Sequence, residues 1–308
     1  MALVETLVSA VLPVLSIAAI GYMLATVRDV DVEPLSTVSL YVLLPALVFH
    51  SLVTSEVSTQ VTVVAFVGVF LFVSIMLLLS ELASRVLDID GSLRNALVLT
   101  AIFPNVGNYG LPLADFAFGP TGREIAVIFI IGQSILMYTL GTFVASRRTD
   151  RTTGTAVSQI FYLPLIYAVI AALSLRGLGW VPPQDLAIMK AIALTGDATI
   201  PVMLLILGME LATLRRNAEL GRLVQASTLV LLIGPIVAFG VATVTGLPPN
   251  VRNPFVLLGA MPAAITPLLL LIEFGDEGSR DSIEFAGSVI FITTVLSVGT
   301  LSALILLL

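Results

Sequence analysis

The chain has 308 residues, 58% of them apolar and only 11% charged, with a mean hydropathy of +1.09. Soluble domains carry roughly a quarter charged residues, so this balance excludes a water-soluble globule and points to an integral membrane protein. Zero cysteines and one histidine, His50, exclude disulfide frameworks, iron–sulfur clusters and multi-histidine metal centres, and the net charge of −6, with Lys190 the one lysine, leaves no basic patch for nucleic acid. Neither a cofactor nor a metal is expected.

A helix needs roughly 20 apolar residues to cross a hydrocarbon core about 30 Å thick. Ten segments qualify, approximately 3–27, 34–55, 60–83, 92–118, 122–146, 155–175, 185–213, 221–246, 252–275 and 282–307. The expected fold is therefore all-α with ten transmembrane helices. The first segment lacks a basic leader and is read as a retained span. Loops after the odd-numbered spans hold ten arginines, from Arg28 to Arg280; the opposite side holds Arg123, Arg176, Lys190 and Arg252. This excess puts the first set in the cytoplasm and both termini outside the cell membrane.

Prolines recur. Pro13 and Pro164, Pro45 and Pro201, Pro104 and Pro262, and Pro112 and Pro267 are 151, 156, 158 and 155 residues apart. That spacing reads as a duplicated five-helix unit, 1–150 and 151–308, joined by the basic loop 147–154. Five is odd, so the second copy enters from the opposite face, the inverted-repeat plan of secondary transporters.

The fourth span, AIFPNVGNYGLPLADFAFG at 101–119, carries Pro104, Gly107, Gly110 and Pro112 in mid-membrane. Unsatisfied backbone groups cost several kcal/mol each in lipid, so such a break belongs inside protein or against a wet cavity. The ninth span, GAMPAAITPLLLLIEFG at 259–275, repeats the device at Pro262 and Pro267. Two broken spans in equivalent places mark a midplane binding site, where half-helix N-termini favour an anion. Asn105 and Asn108 can hold a carboxylate there, or can satisfy the backbone groups the break sets free. The Gly107–Gly110 spacing is no nucleotide loop, because no strand precedes it.

Four further residues are candidates for ion coupling. Asp197, near the middle of the seventh span, serves coupling or bonds to backbone N–H groups freed near Pro201. His50 is a candidate proton carrier or a hydrogen-bonded packing residue. Gln133 faces the cavity or bonds to another helix. Glu273 follows the second broken helix; together with Glu210, Asp115 and Glu124 it otherwise reads as an interfacial charge. An intramembrane enzyme is not expected, since neither a GxSG nor an HExxH motif is present.

These motifs resemble the auxin efflux carrier (PIN-like) family, in a prokaryotic or archaeal form. The family pattern P-N-x4-G-[IL]-P-L is met by Pro104, Asn105, Gly110, Leu111, Pro112 and Leu113, and P-x2-I-x-P-x5-E-[YF] by Pro262, Ile265, Pro267, Glu273 and Phe274. P-x-L-x-F-H falls on Pro45, Leu47, Phe49 and His50, and an aspartate followed by L-G on Asp197, Leu207 and Gly208. The resemblance implies the fold of bile-acid sodium symporters, with broken helices 4 and 9 crossing. It implies a dimerising scaffold, 1–56 and 155–215, and a sliding transport unit, 60–146 and 220–308. The site would comprise Pro104, Asn105, Gly107, Asn108, Gly110, Pro112, Pro262, Ala263, Thr266 and Pro267. The partners would be membrane lipid, a second copy of the chain and a small organic anion such as indole-3-acetate or a related carboxylate; the alternative is a sodium-coupled organic-anion symporter. Ala263 and Ala264 replace a polar residue and a glycine of the plant proteins, and eight residues replace their long cytosolic loop.

Overall fold

The computed structural model describes residues 11–89, 91–147, 161, 163–214, 218–275 and 280–308. The joint expected at 147–154 lies outside them except for Arg147. Among the described residues the chain is helical, and its one β-type contact is an isolated bridge. The helices are α1 (Leu12–Val27), α2 (Glu33–Thr54), α3 (Thr59–Val86), α4 (Gly91–Ile102), α5 (Val106–Ala145), α6 (Pro164–Gly177), α7 (Ala187–Thr213), α8 (Leu220–Val244), α9 (Pro249–Gly259), α10 (Thr266–Phe274) and α11 (Arg280–Leu307). Six of them, α2, α3, α5, α7, α8 and α11, are long and apolar enough to cross a membrane, and α1 and α6 are shorter apolar helices.

α5 carries the second half of the fourth expected span, whose first half is α4, together with the fifth, and turns back between them at Gly119. There φ is +62°, a left-handed conformation open to glycine, and Pro120 follows. Eight residues of straight helix would hold Asp115 and Arg123 about 12 Å apart; instead the Arg123 guanidinium contacts the Asp115 carboxylate at 2.8 and 3.1 Å. A Cβ on Gly122 would collide with the carbonyl of Ala114, which shows how tightly the two legs close.

Several intramembrane prolines are accommodated by widened turns. π-helical turns at Ser39–Leu43, Val106–Gly110 and Leu229–Ile233 run directly into α-helix at Leu44, Leu111 and Gly234, each followed by a proline: Pro45, Pro112 and Pro235. A proline has no N–H and its ring crowds the carbonyl four residues back, so an i→i−5 turn before it relieves the clash.

Packing falls into two groups. α1 lies along α7, where a Cβ on Gly21 or on Gly208 would strike the carbonyl of Leu205 or Ala18; α6 packs on α2, as does the first half of α7. In the second group α3 packs on α4, α5 and α8, α9 on α5 and α8, and α11 on α4 and α8. Phe72, Phe129 and Phe255, buried side chains of α3, α5 and α9, form a ring cluster with centroids 5.8 and 5.4 Å apart.

Candidate functional site

α4 ends at Ile102 and α9 at Gly259, and the short chains that follow them cross. Asn105 N–H donates to the Pro262 carbonyl at 2.7 Å, and Ala264 N–H donates to the Phe103 carbonyl at 3.0 Å. These are the two bonds of an antiparallel bridge between Pro104 and Ala263. The remaining groups are satisfied locally. Gly110 N–H bonds to the Asn105 carbonyl at 2.9 Å, and the Pro104 carbonyl accepts from Val106 N–H at 2.8 Å and from Gln133 Nε2 at 2.9 Å. Ala263 N–H donates to Thr293 Oγ1 at 3.3 Å. Two interrupted helices thus cross in a membrane-spanning chain by satisfying each other's backbone, as the lack of water demands.

The break is narrower than the motif suggests. Gly107 and Gly110 lie within the π-helical turn, Pro112 follows that turn, which makes room for its ring, and Pro267 lies in the first turn of α10, where a missing N–H has no helical partner to lose. Gly110 is held where a Cβ would press on Leu258 and Met261, so it serves close packing of α5 on α9.

A cavity of ≈ 170 Å³ opens beside the crossing. One wall is Asn105–Asn108, Ala264–Thr266 and the Gln133 and Tyr138 side of α5; the other is Leu40 and Leu44 of α2, Leu163 and Leu165 at the head of α6, and Met203 of α7. The cavity therefore lies between the two packing groups. Its lining holds no lysine or arginine.

Three amides face it in different states. Asn105 is 6% exposed; its amide does not cap the helix it precedes and has no hydrogen-bond partner among the described residues. Gln133 is 7% exposed, and because the carbonyl of Pro104 can only accept, Nε2 must point to it, leaving Oε1 without a partner. Asn108 Nδ2 donates to both carboxylate oxygens of Glu210 on α7, at 3.3 and 3.2 Å. The first-turn N–H groups of Gly107, Asn108, Ile265 and Thr266 have no carbonyl partner among the described residues. Donors converging without a fixed cation suit an anion that must also be released.

Of the expected site residues, Asn105, Gly107, Asn108, Gln133 and Thr266 line the cavity. Pro104, Pro262 and Ala263 form the crossing behind it, and Gly110, Pro112 and Pro267 shape the half-helices. His50 is half-buried on α2 and Glu273 exposed on α10, neither of them in the lining. Asp197 sits where α7 bends, its side chain 64% exposed, and accepts from Arg123 Nη1 at 3.2 Å; its partner is an arginine, not freed backbone. Glu210 is not merely an interfacial charge, since its carboxylate is bonded to Asn108. Neither Glu210 nor Arg123 stood out in the sequence, because each acts through a residue far along the chain.

The fold and the crossing define the class: an all-helical, multi-pass membrane protein with a small cavity at paired helix breaks. The family model described as "Membrane transport protein" matches residues 6–155 and 146–305, and the chain belongs to that family. Relatives include an "Uncharacterized transporter" of Methanocaldococcus jannaschii, 24% identical over 93% of this chain and 94% of its own length. Another "Uncharacterized transporter", from Methanothermobacter thermautotrophicus, is 26% identical over 94% and 95%. A Rhizobium meliloti protein named "Putative malonate transporter" is 25% identical over 96% and 94%. The resemblance read from the motifs thus stands at the level of the family, and the chain is a transport protein, not an enzyme.

Proposed function

We propose that this protein is a secondary carrier that binds a small carboxylate at the crossing of its broken helices and moves it by sliding one packing group past the other. The observation that carries this reading is the unpartnered Asn105 amide, buried beside half-helix N-termini in a cavity whose two walls belong to different packing groups. α1, α2, α6 and α7 would be the scaffold, the surface of a homodimer, and α3 to α5 with α8 to α11 the transport unit.

Ten spans in two inverted repeats agree with the local geometry. α3 and α8 end in the same way, with Ile89 N–H on the Ser84 carbonyl and Leu247 N–H on the Ala242 carbonyl, each just past a left-handed residue, Asp88 or Gly246. α1 and α6 likewise end just before left-handed Asp29 and Gly179. The positive charge excess supports a plasma-membrane orientation with both termini outside.

The size of the cavity favours a short carboxylate over the bulkier indole-3-acetate, and the name of the Rhizobium relative makes malonate the first compound to try. The test is counterflow in proteoliposomes loaded with unlabelled malonate, with indole-3-acetate in parallel and sodium replaced by choline in a second set. Asn105→Ala should abolish counterflow while the protein stays monodisperse, because the backbone bonds of the crossing do not use its side chain. Normal counterflow by that variant would refute the site, and dependence on sodium would favour a sodium-coupled symporter.

A further inference from the structure

A second cleft, of ≈ 920 Å³, opens between α3, α4 and the end of α5, and shares no residue with the cavity at the crossing. Its lining holds Arg85, Arg94 and Arg147 against one carboxylate, Glu81, a surplus of two positive charges. Glu81 is already bonded to both Arg94 and Arg147, which fixes their guanidinium groups side by side. Arg85 stands exposed on the last turn of α3 and has no carboxylate partner among the described residues. Arg147 also lies over the ring of Phe143, 5.4 Å from its centroid.

Two observations point to a ligand here. Asn95 lines the cleft, is 5% exposed, and has no hydrogen-bond partner among the described residues. A buried amide of that kind ordinarily has one. The rest of the lining is largely apolar: Leu77 and Leu78 of α3 and Phe143 of α5, with Leu78 69% and Phe143 52% exposed. The cleft therefore sets cationic and amide groups beside exposed apolar side chains.

We propose that this cleft is a binding site for an anionic phospholipid, with the phosphate on Arg85 and the paired guanidiniums, the glycerol oxygens on Asn95 and an acyl chain along Leu77, Leu78 and Phe143. Guanidinium groups match phosphate geometry with two parallel N–H bonds, and basic pockets between membrane helices at the interface suit acidic headgroups. A free phosphate would use only the arginines and Asn95 and would leave the exposed Leu78 and Phe143 bare, which is why the lipid is the occupant.

The experiment uses the full chain in detergent and measures binding of phosphatidylglycerol by native mass spectrometry and thermal shift. Phosphatidylcholine, glycerol phosphate and inorganic phosphate are the comparison ligands. Phosphatidylglycerol should bind above all three. Arg85→Gln should weaken it about fivefold, the effect of one arginine near a membrane surface, with Arg85→Lys recovering most of the loss, and Asn95→Leu should weaken it further. Arg222→Gln, on α8 and away from the cleft, is the charge-matched control and should change nothing. Equal loss in the Arg222 variant, no loss in the Arg85 variant, or inorganic phosphate binding as tightly as the lipid would each overturn the proposal. None of these outcomes depends on what the protein transports.

Discussion

Asn105, Gln133 and Asn108 carry the same functional group, yet the fold uses each differently. Among the described residues the first is unpartnered, the second spends only its N–H on Pro104, and the third is taken up by Glu210. If a substrate carboxylate seeks Asn108, it meets the Glu210 carboxylate at the same donor, and like charges at that range oppose each other. Glu210→Gln keeps the shape and the acceptor but removes the charge. The expected result is tighter anion binding, about three- to tenfold in Kd by isothermal titration calorimetry, the range of one charge-assisted hydrogen bond exchanged for a neutral one. An unchanged Kd would show that Glu210 does not compete. Gln133→Leu should act oppositely, weakening binding by about the same factor if Oε1 accepts from the bound anion's own hydroxyl or from its hydration water. Asn105 was legible in the sequence because it sits inside a helix break that lipid forbids elsewhere. Glu210 was not, because its partner is 102 residues away and a carboxylate near the end of an apolar span looks like an interfacial charge. Arg123 escaped notice similarly, its link to Asp197 spanning 74 residues.

Among the helices, proline and glycine decide local form, but by different means. Sequence pattern alone extends the break of the fourth span from Pro104 through Pro112, and α5 shows why that overreaches: the helix is already under way at Pro112, and the π-helical turn before it absorbs the ring. The real interruption is the short stretch whose backbone bonds go to the other broken helix, a partnership that one segment's composition cannot reveal. The spans read at 92–118 and 122–146 part where the chain reverses at Gly119, and the first of them is itself divided at 103–105 into α4 and the first leg of α5. Glycines separate into those that permit contact and those that merely occupy helix. Gly208 of α7 faces the Ala18 carbonyl of α1 so closely that a Cβ collides with backbone, while Gly240 of α8 has open space around it. Gly208→Ala should therefore lower stability by about 1–3 kcal/mol through overpacking, and Gly240→Ala should leave it unchanged or raise it by about 0.5–1 kcal/mol through helix propensity. Thermal unfolding of both variants in one detergent reads the difference; equal Tm values would mean that the α1–α7 contact is not tight.

At the scale of the whole molecule, polar contacts between the two packing groups are few and widely placed among the described residues. Asn108 meets Glu210, Arg123 meets Asp197, and Ser55 Oγ donates to Glu124 Oε2 at 2.9 Å. Within each group, by contrast, contact is extensive and apolar, as in the α1–α7 seam and the phenylalanine cluster of α3, α5 and α9. Closely packed interiors do not deform continuously, so a large motion is easiest along the boundary where contacts are sparse and reversible. The ion pair among these contacts, Arg123 with Asp197, is partly exposed and contributes about 0–1 kcal/mol, weak enough to break and re-form in each cycle. The absence of native cysteine makes this testable without background. Replacing Ser55→Cys and Glu124→Cys together, then adding a short thiol-specific cross-linker, would tie α2 to α5 across the boundary. If the groups slide, cross-linking should stop counterflow, a reducible linker should restore it on reduction, and each single variant should be indifferent to the reagent. Full counterflow by the cross-linked protein would mean that the boundary through the cavity is not where the molecule moves, and the two packing groups would then be a feature of stability alone.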